Sequence, residues 1–494
     1  MILSTGILKH AWTLGMEVFE MSGIVVTLKP ERKMIEGSLS YLRHRGSKTR
    51  VLKTRGEASM GAVVSNAFDE NMIVFEGTRE SVVFDGILRN FPGEVWPRRI
   101  LELYKENRSG FLNELDGSFA FAIDTDDETF VARDPLGLKP LYYGRCNGGI
   151  AFASELKALT PFCSDVQVFP PGHFFSSNEG FSEYSSLEDL LTERQVKSEE
   201  EAAKRLRTSL ERAVDNRMTA VKSEPIVFLS GGLDSSCIAA VASKLNGSLK
   251  TFTVGSEEGK DPAFAKEVSR YLGTDHREYT YDFKEMLEVL PHVIYHLESF
   301  DPPLVRSAIP NYIVSKMAAE EDSSFVLMGE GADELFAGYE YMKELPSAES
   351  VDEESLRITK NGYLSGFQRN DRMALAFGIE FDVPFMDPNV VDLAFSIPVD
   401  WKIHGPEKTE KWILRKAFEN DLPESVVWRK KSKFSVGSGS SHIMKEYAEE
   451  AISDSEFERE RQNNGIRSKE ELLYYRIFDE QFPCRGAADT VYRS

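Results

Sequence analysis

Apolar residues fall into two rhythms along the chain. Up to about residue 176 they come in short runs, "SFAFAID", "FVARD", "LYYGRCNGGIAFAS" and "VQVFPPGHFF", close to the period of two required by a strand with one face in a core. Asn147-Gly148-Gly149 interrupts the third run and predicts a hairpin turn. From Ser176 to Glu201, "SSNEGFSEYSSLEDLLTERQVKSEEE", charged and small residues replace that pattern, which marks a linker between domains. Past it, short apolar blocks alternate with longer helical segments. The pattern predicts a mainly β first half with some helix, then an α/β second half.

"PIVFLSGGLDSSCIAA", Pro225 to Ala240, changes character abruptly. Ile226 to Leu229 is too short for a helix and reads as a buried strand, whereas Ser235 to Leu245 has the length and alanine content of a helix. At the amino end of that helix several backbone N–H groups lack intrahelical partners, and the dipole adds positive character. Gly231 and Gly232 let the backbone curl round a phosphate, and Ser230, Ser235 and Ser236 add hydroxyl donors. Asp234 would repel phosphate oxygens unless a divalent cation lay between them, so Mg2+ is implied. No Gly-Lys-Ser/Thr follows, so the loop is not a Walker A motif. A plain turn is the alternative for Ser-Gly-Gly alone; strand, aspartate, paired serines and helix in order favour a nucleotide.

A second strand-loop-helix unit is "SFVLMGEGADELFAGY". Ser324 to Met328 reads as its strand, Gly329 and Gly331 allow a tight exit, and Asp333 stands at an N-cap position. With the two strands adjacent, Glu330 and Asp333 face the first loop and join Asp234 in an oxygen-ligand set for Mg2+. Simple capping is the competing reading of Asp333.

Composition narrows the class. A chain of 494 residues holds roughly two to four domains, and a formal charge of -21 argues against nucleic acid as a partner. Cys146, Cys163, Cys237 and Cys484 lie far apart without CxxC spacing, which predicts neither a zinc site nor a disulfide framework and points to the cytoplasm. No apolar run approaches the roughly 18 residues of a membrane span. Residues 1–20 make a poor signal peptide and read as an extension ahead of Met16 or Met21.

The first loop resembles the Ser-Gly-Gly-x-Asp-Ser signature of the ATP pyrophosphatase (PP-loop) enzymes. "GEGADELFAGY" is similar to the Gly-Glu-Gly-Ser-Asp-Glu segment of glutamine-hydrolysing asparagine synthetases within that group. The likeness continues through "QRNDRMALAFGIEFDVPFMD" and "EKWILRKAFENDLPESVVWRKKSKFS" and runs from Met21 to about Ser435. It implies an α+β Ntn-type domain, β-sheets sandwiched between helices, over 21–190, and an α/β parallel-sheet PP-loop synthetase domain over 195–494. It further implies ATP and Mg2+, with Leu229, Val254, Met328 and Gly329 round adenine and ribose. Ser230, Gly232, Asp234 and Ser235 would hold pyrophosphate and metal, with Asp333 the second metal carboxylate. Glu330 would guide or deprotonate ammonium, and Lys431 would neutralise the adenylate and leaving pyrophosphate. Taken alone, Lys431 is an ordinary solvated lysine.

The first half departs from the family. Where relatives begin Met-Cys-Gly-Ile, with the cysteine as glutaminase nucleophile, this chain has Ser22 behind Met21; a serine hydroxyl is a far weaker nucleophile than a thiolate. Arg-Gly-Pro-Asp appears as Arg45-Gly46-Ser47-Lys48, and Asn-Gly-Glu-Ile-Tyr-Asn as "DGILRN", so Arg45, Asp85 and Gly86 mark former glutamine-holding positions. Asp382 replaces an arginine of Glu-x-Arg-x-Pro-Phe-Leu-Asp; it lies either by the acid substrate or in an interdomain pair, and the sequence leaves both open.

The expected activity is an ATP-dependent ligase that adenylates a carboxylate, aspartate first, and takes ammonia, with weak or no glutamine hydrolysis. Two alternatives stand. One is a ligase for another carboxylate or an intramolecular amide, as in β-lactam synthetases, which carry tyrosine at the Glu330 position. The other is a catalytically silent nucleotide-binding regulatory protein. The resemblance allows a homodimer, which no sequence feature decides.

Overall fold

The computed structural model describes residues 22–29, 32–46, 48–52, 58–64, 70–192, 195–221, 223–431 and 434–494. The extension 1–20, Met21 and Ser47 lie outside them.

The first twelve strands are β1 (Gly23–Thr27), β2 (Lys48–Leu52), β3 (Ser59–Val64), β4 (Val74–Glu76), β5 (Ser81–Leu88), β6 (Gly117–Asp124), β7 (Thr129–Arg133), β8 (Tyr142–Cys146), β9 (Gly149–Ala153), β10 (Ser164–Val168), β11 (His173–Ser176) and β12 (Gly180–Glu183). They form two six-stranded antiparallel sheets, ordered β10-β8-β9-β1-β3-β2 and β12-β11-β7-β6-β5-β4. Alternation sorts the side chains. Ile24 and Val26 of β1, Met60 and Ala62 of β3, and Ala120 and Ala122 of β6 pack between the sheets. Their neighbours Val25, Val63, Phe119 and Phe121 belong to a second core with Ile35 and Ile100, on the helices Arg32–Ser40 and Trp96–Asn107. Period-two strands thus give a sandwich of two sheets flanked by helices. Each fully buried Phe, Ile or Val contributes roughly 1.5–3 kcal/mol relative to exposure.

Two sequence expectations change here, and the hairpin is found where the sequence places it. The polar stretch after Ser176 is not all linker, because β12 lies inside it and pairs with β11. Cys146 and Cys163 form a disulfide with a Cα–Cα distance of 4.4 Å, contrary to the expectation that the cysteines stay unlinked. The cause is strand register: β10 pairs with β8 so that Ser164 stands opposite Arg145, which brings the two flanking cysteines face to face. That bond also removes the cysteine argument for a cytoplasmic setting. Finally, Asn147 and Gly148 alone occupy the hairpin tip between β8 and β9, with φ of 46° and 79°, the positive values a two-residue turn demands.

The remaining strands, β13 (Ile226–Phe228), β14 (Lys250–Ser256), β15 (Asp275–Tyr281), β16 (Phe325–Leu327) and β17 (Glu380–Asp382), make a parallel sheet ordered β15-β14-β13-β16-β17. From β13 the chain runs outward through β14 to β15 and then returns to β16 on the other side. Strand order therefore reverses at β13, and in such sheets the ligand crevice opens beyond the carboxyl ends at that point. Both motif loops leave from there. The first helix is longer than expected, Leu233–Asn246, and ends on Gly247 in a left-handed conformation. Among the described residues no helix is long and apolar enough to cross a membrane.

Candidate active site

Leu229 closes β13 by donating its N–H to Phe252 O at 2.8 Å. The turn that follows needs Gly231, which has φ of +69° and on which a Cβ would lie 2.5 Å from the backbone N of Ala265. The turn is tied by its own serines, since Ser230 N donates to Ser235 Oγ at 3.1 Å and Gly232 N donates to Ser230 Oγ at 3.4 Å. No side chain caps the helix that begins at Leu233, so its amino end keeps the donors and dipole an anion uses. Ser236 is different. It is fully buried, and its hydroxyl donates back to Gly232 O at 2.7 Å.

Gly329 brings the second loop against the first, because a Cβ there would lie 2.6 Å from Ser235 N. The helix after it starts at Ala332 with Gly331 as its cap, so Asp333 is not the N-cap. Freed from capping, Asp333 turns to Asp234. Lys411 Nζ sits between them, 2.7 Å from both Asp234 oxygens and 2.6 Å from Asp333 Oδ1. Lys431 Nζ lies 2.5 Å from Asp333 and 3.5 Å from Asp234. Burial alone would raise the Asp333 carboxyl, but the ammonium groups of Lys411 and Lys431 hold it well below the ordinary range. For Lys431 the signs reverse: burial would lower it, and Asp333 and Asp234 raise it above a normal lysine.

Both loops open on one cavity of about 1010 Å³. Leu229, Val254, Met328 and Gly329 form its floor, and Ser230, Asp234, Ser235, Glu330, Asp333 and Lys431 also line it. Gly232 and Lys411 line a smaller space of about 60 Å³ beside it, together with Arg415, Arg429 and Lys430. Gly231 meets this basic rim through its carbonyl, which accepts from Arg429 NH1 at 3.1 Å. Glu330 does not join the two aspartates as expected. It pairs with Arg369 and accepts from Asn370 Nδ2 at 3.5 Å, and among the described residues no group of three acidic, His or Cys ligands forms. Lys411, Arg369 and Asn370 escaped the sequence reading. The backbone of Lys411 is left-handed, with φ of 56°, and no residue type there announces that.

The asparagine synthase family matches residues 205–361 and 343–490, and the glutamine amidotransferase domain matches 97–161. The chain is 37% identical over 431 residues to a probable glutamine-hydrolysing asparagine synthetase of Schizosaccharomyces pombe, covering 80% of this chain and 77% of that protein. It is 37% identical over 424 residues to the glutamine-hydrolysing asparagine synthetase B of Escherichia coli, with coverages of 79% and 74%. Against the glutamine-hydrolysing asparagine synthetase 1 of Saccharomyces cerevisiae the figure is 34% over 447 residues, with 80% and 78% covered. The chain belongs to the asparagine synthetase family. It is an ATP-dependent carbon–nitrogen ligase.

As an asparagine synthetase relative it has an unusual first half. The amidotransferase match leaves out Ser22, Arg45, Asp85 and Gly86. These positions are sealed: Ser22 is 1% exposed, and Arg45 and Asp85 are 0% exposed. Ser22 Oγ donates to Asp85 Oδ1 at 3.1 Å. Arg45 pairs with Glu155, with Asp85 at 3.3 Å and with Asp371 of the second half at 2.5 Å. Gly86 has no room for a side chain, since a Cβ would lie 2.0 Å from Ser118 O. Asp382 resolves the question left open by the sequence. It pairs with Arg217 at 2.9 Å and with Arg89 of the first half at 3.6 Å, and it does not line the cavity.

Proposed function

We propose that this ligase joins a carboxylate, aspartate foremost, to AMP from ATP and lets ammonia displace the AMP. Asparagine, AMP and pyrophosphate leave, with weak or no glutamine hydrolysis. One observation carries the reading: the phosphate-type turn, the Asp234–Asp333 pair and Glu330 face the same cavity.

A carboxylate is inert to amines near neutral pH, so it needs a leaving group before nitrogen can attack. In this reading Leu229, Val254, Met328 and Gly329 take the adenosine end of ATP, and Ser230, Gly231, Gly232 and Ser235 surround the diphosphate. Asp234 and Asp333 converge on a single cation position, held by Lys411 Nζ. Two carboxylates beside phosphate oxygens are the donor set magnesium accepts, so these residues fit it. Bound there, magnesium neutralises charge on the diphosphate. Lys431 adds positive charge where pyrophosphate departs. Glu330, anchored by Arg369, receives the proton that ammonium must lose before nitrogen attacks. Enclosure of both reactants in one cavity supplies orientation and excludes water.

The nitrogen source follows from the first half. Glutamine needs a free cationic group for its carboxylate and a reactive nucleophile. Arg45 already faces three carboxylates, and Ser22 offers a hydroxyl bonded to Asp85 rather than a thiol. Free ammonia is therefore the preferred donor.

The test is pyrophosphate release from ATP over a panel of carboxylic acids with ammonium and magnesium present. Aspartate-dependent release with formation of asparagine is expected. Release with another acid only would move the activity to that acid, and silence across the panel would overturn the reading.

A further inference from the structure

The helix Gly366–Leu375 carries two polar sets that look in different directions. Arg369 and Asn370 line the large cavity. Arg369 pairs with Glu330 and donates to Ser307 Oγ at 3.0 Å, and Asn370 Oδ1 accepts from Asn311 at 3.3 Å. The next two residues, Asp371 and Arg372, are at most 1% exposed and meet the first half. Asp371 Oδ2 accepts from Arg45 NH2 at 2.5 Å, and Arg372 NH2 donates to Ser154 O at 3.3 Å and to Glu298 at 2.9 Å. Lys157 Nζ bridges Glu155 and Glu298, the latter at 3.0 Å. Arg45, Lys157 and Arg372 thus share one buried network with Asp85, Glu155, Glu298 and Asp371.

Such a network is a poor source of net stability, because desolvation offsets the attraction. It is a strong source of register. Two surfaces that each bury unpaired charge when misplaced have one arrangement in which every charge is met. Successive residues of a helix lie 1.5 Å apart along its axis and about 100° apart around it. Whatever fixes Asp371 and Arg372 therefore also fixes Arg369 and Asn370, and through them Glu330.

We infer that the first half, closed as a glutamine site, serves the ligase as a strut: Arg45, acting through Asp371, sets the helix that holds Glu330 at the nitrogen-binding end of the cavity. Arg45 and Asp371 are positioning residues, since neither lines the cavity. The position that would grip glutamine's carboxylate has taken an internal carboxylate instead. The inference rests on the placement of Glu330 in the ligase site proposed above.

The test uses the full chain with Arg45→Met, Asp371→Leu, their combination, and Arg45→Lys as the conservative variant. The ammonium KM rises about tenfold in both single variants while the ATP KM stays within about twofold, a split that mere loss of folded protein does not produce. The double variant is no worse than the worse single, and Arg45→Lys recovers part of the loss. Hydrogen exchange of 366–375 speeds up in Arg45→Met. Parallel shifts of the two KM values, unchanged KM values, or unchanged exchange each overturn the strut. Wild-type protein that releases no pyrophosphate with any acid would instead overturn the ligase reading, and the exchange measurement would still decide the strut.

Discussion

Among the described residues, two clusters of carboxylates and cations have opposite designs: one borders the cavity of the second half, and the other spans the seam between the halves. Around Asp234 and Asp333 the charges line open space: the cavity holds about 1010 Å³, and the two aspartate side chains remain 14% and 16% exposed. Around Arg45 the side chains of Asp85, Glu155 and Asp371 are all 0% exposed. The same chemistry is open to a ligand in the first case and closed to one in the second. What separates them is whether each charge has already spent its contacts inside the protein. Lys431 lines the cavity with its side chain 24% exposed and is open to a ligand's oxygens, while Lys411 is 1% exposed. Arg45 has no such opening.

The largest effect that tests this contrast falls on the open cluster. Asp333→Asn or Asp234→Asn lowers kcat for pyrophosphate release by about a hundredfold or more, the scale on which preorganised charge acts on phosphoryl and acyl chemistry; steady-state assays with saturating ATP check it. Thermal unfolding midpoints fall as well, because Lys411, 1% exposed, loses a carboxylate partner, so kcat is compared on folded protein.

The sealed regions behave the other way. Arg217→Leu removes the guanidinium that pairs with Asp382 at 2.9 Å and with Asp387 at 3.0 Å, and leaves Asp382 with Arg89 at 3.6 Å. The expected loss is about 3–5 kcal/mol of stability, read from denaturant unfolding. Soluble, stable protein with an unchanged midpoint would mean that these carboxylates are not buried as charges.

A smaller effect appears in the pH dependence of stability. Burial pushes the Glu380 carboxyl up to about 7, against the pull of Lys139 at 2.6 Å. The native state keeps this proton over a range in which the unfolded chain has released it, so the group's contribution is full below its ordinary pKa and is lost as pH rises through about 7. Glu380→Gln flattens that slope between pH 5 and 8, although Lys139 keeps only Asp85, at 3.9 Å, as a paired carboxylate among the described residues and absolute stability drops. Unfolding midpoints measured across that range give the comparison.

The smallest effect is expected at Ser22. Its Ala variant leaves ammonia-dependent turnover within about twofold, because among the described residues the hydroxyl bonds to Asp85 and Ser22 does not line the cavity.

The contrast also shows what a sequence can carry. The turn from Leu229 to Ser236 was legible because strand, glycines, aspartate and helix are contiguous, and local backbone geometry decides their meaning. Glu330 was placed correctly on its loop, yet its partner was missed: Arg369 comes from a distant helix, and only packing brings them together. Lys411 was invisible for the same reason, compounded by its left-handed backbone. The disulfide depends on a strand register that spacing alone does not give. Asp382 had two readings until its neighbours Arg89 and Arg217 were seen. Ser22, Arg45 and Asp85 stood out as departures from a motif, but their conversion into a joint needed the position of Asp371.

One measurement addresses the central claim, that the second half works as a ligase while the first half is closed. Purified protein with ATP, magnesium and aspartate is supplied with either ammonium or glutamine, and pyrophosphate and glutamate are followed together. Ammonium should drive pyrophosphate release, while glutamine should yield neither pyrophosphate nor glutamate above the blank. Glutamine-driven release with matching glutamate, abolished by Ser22→Ala, would contradict the account.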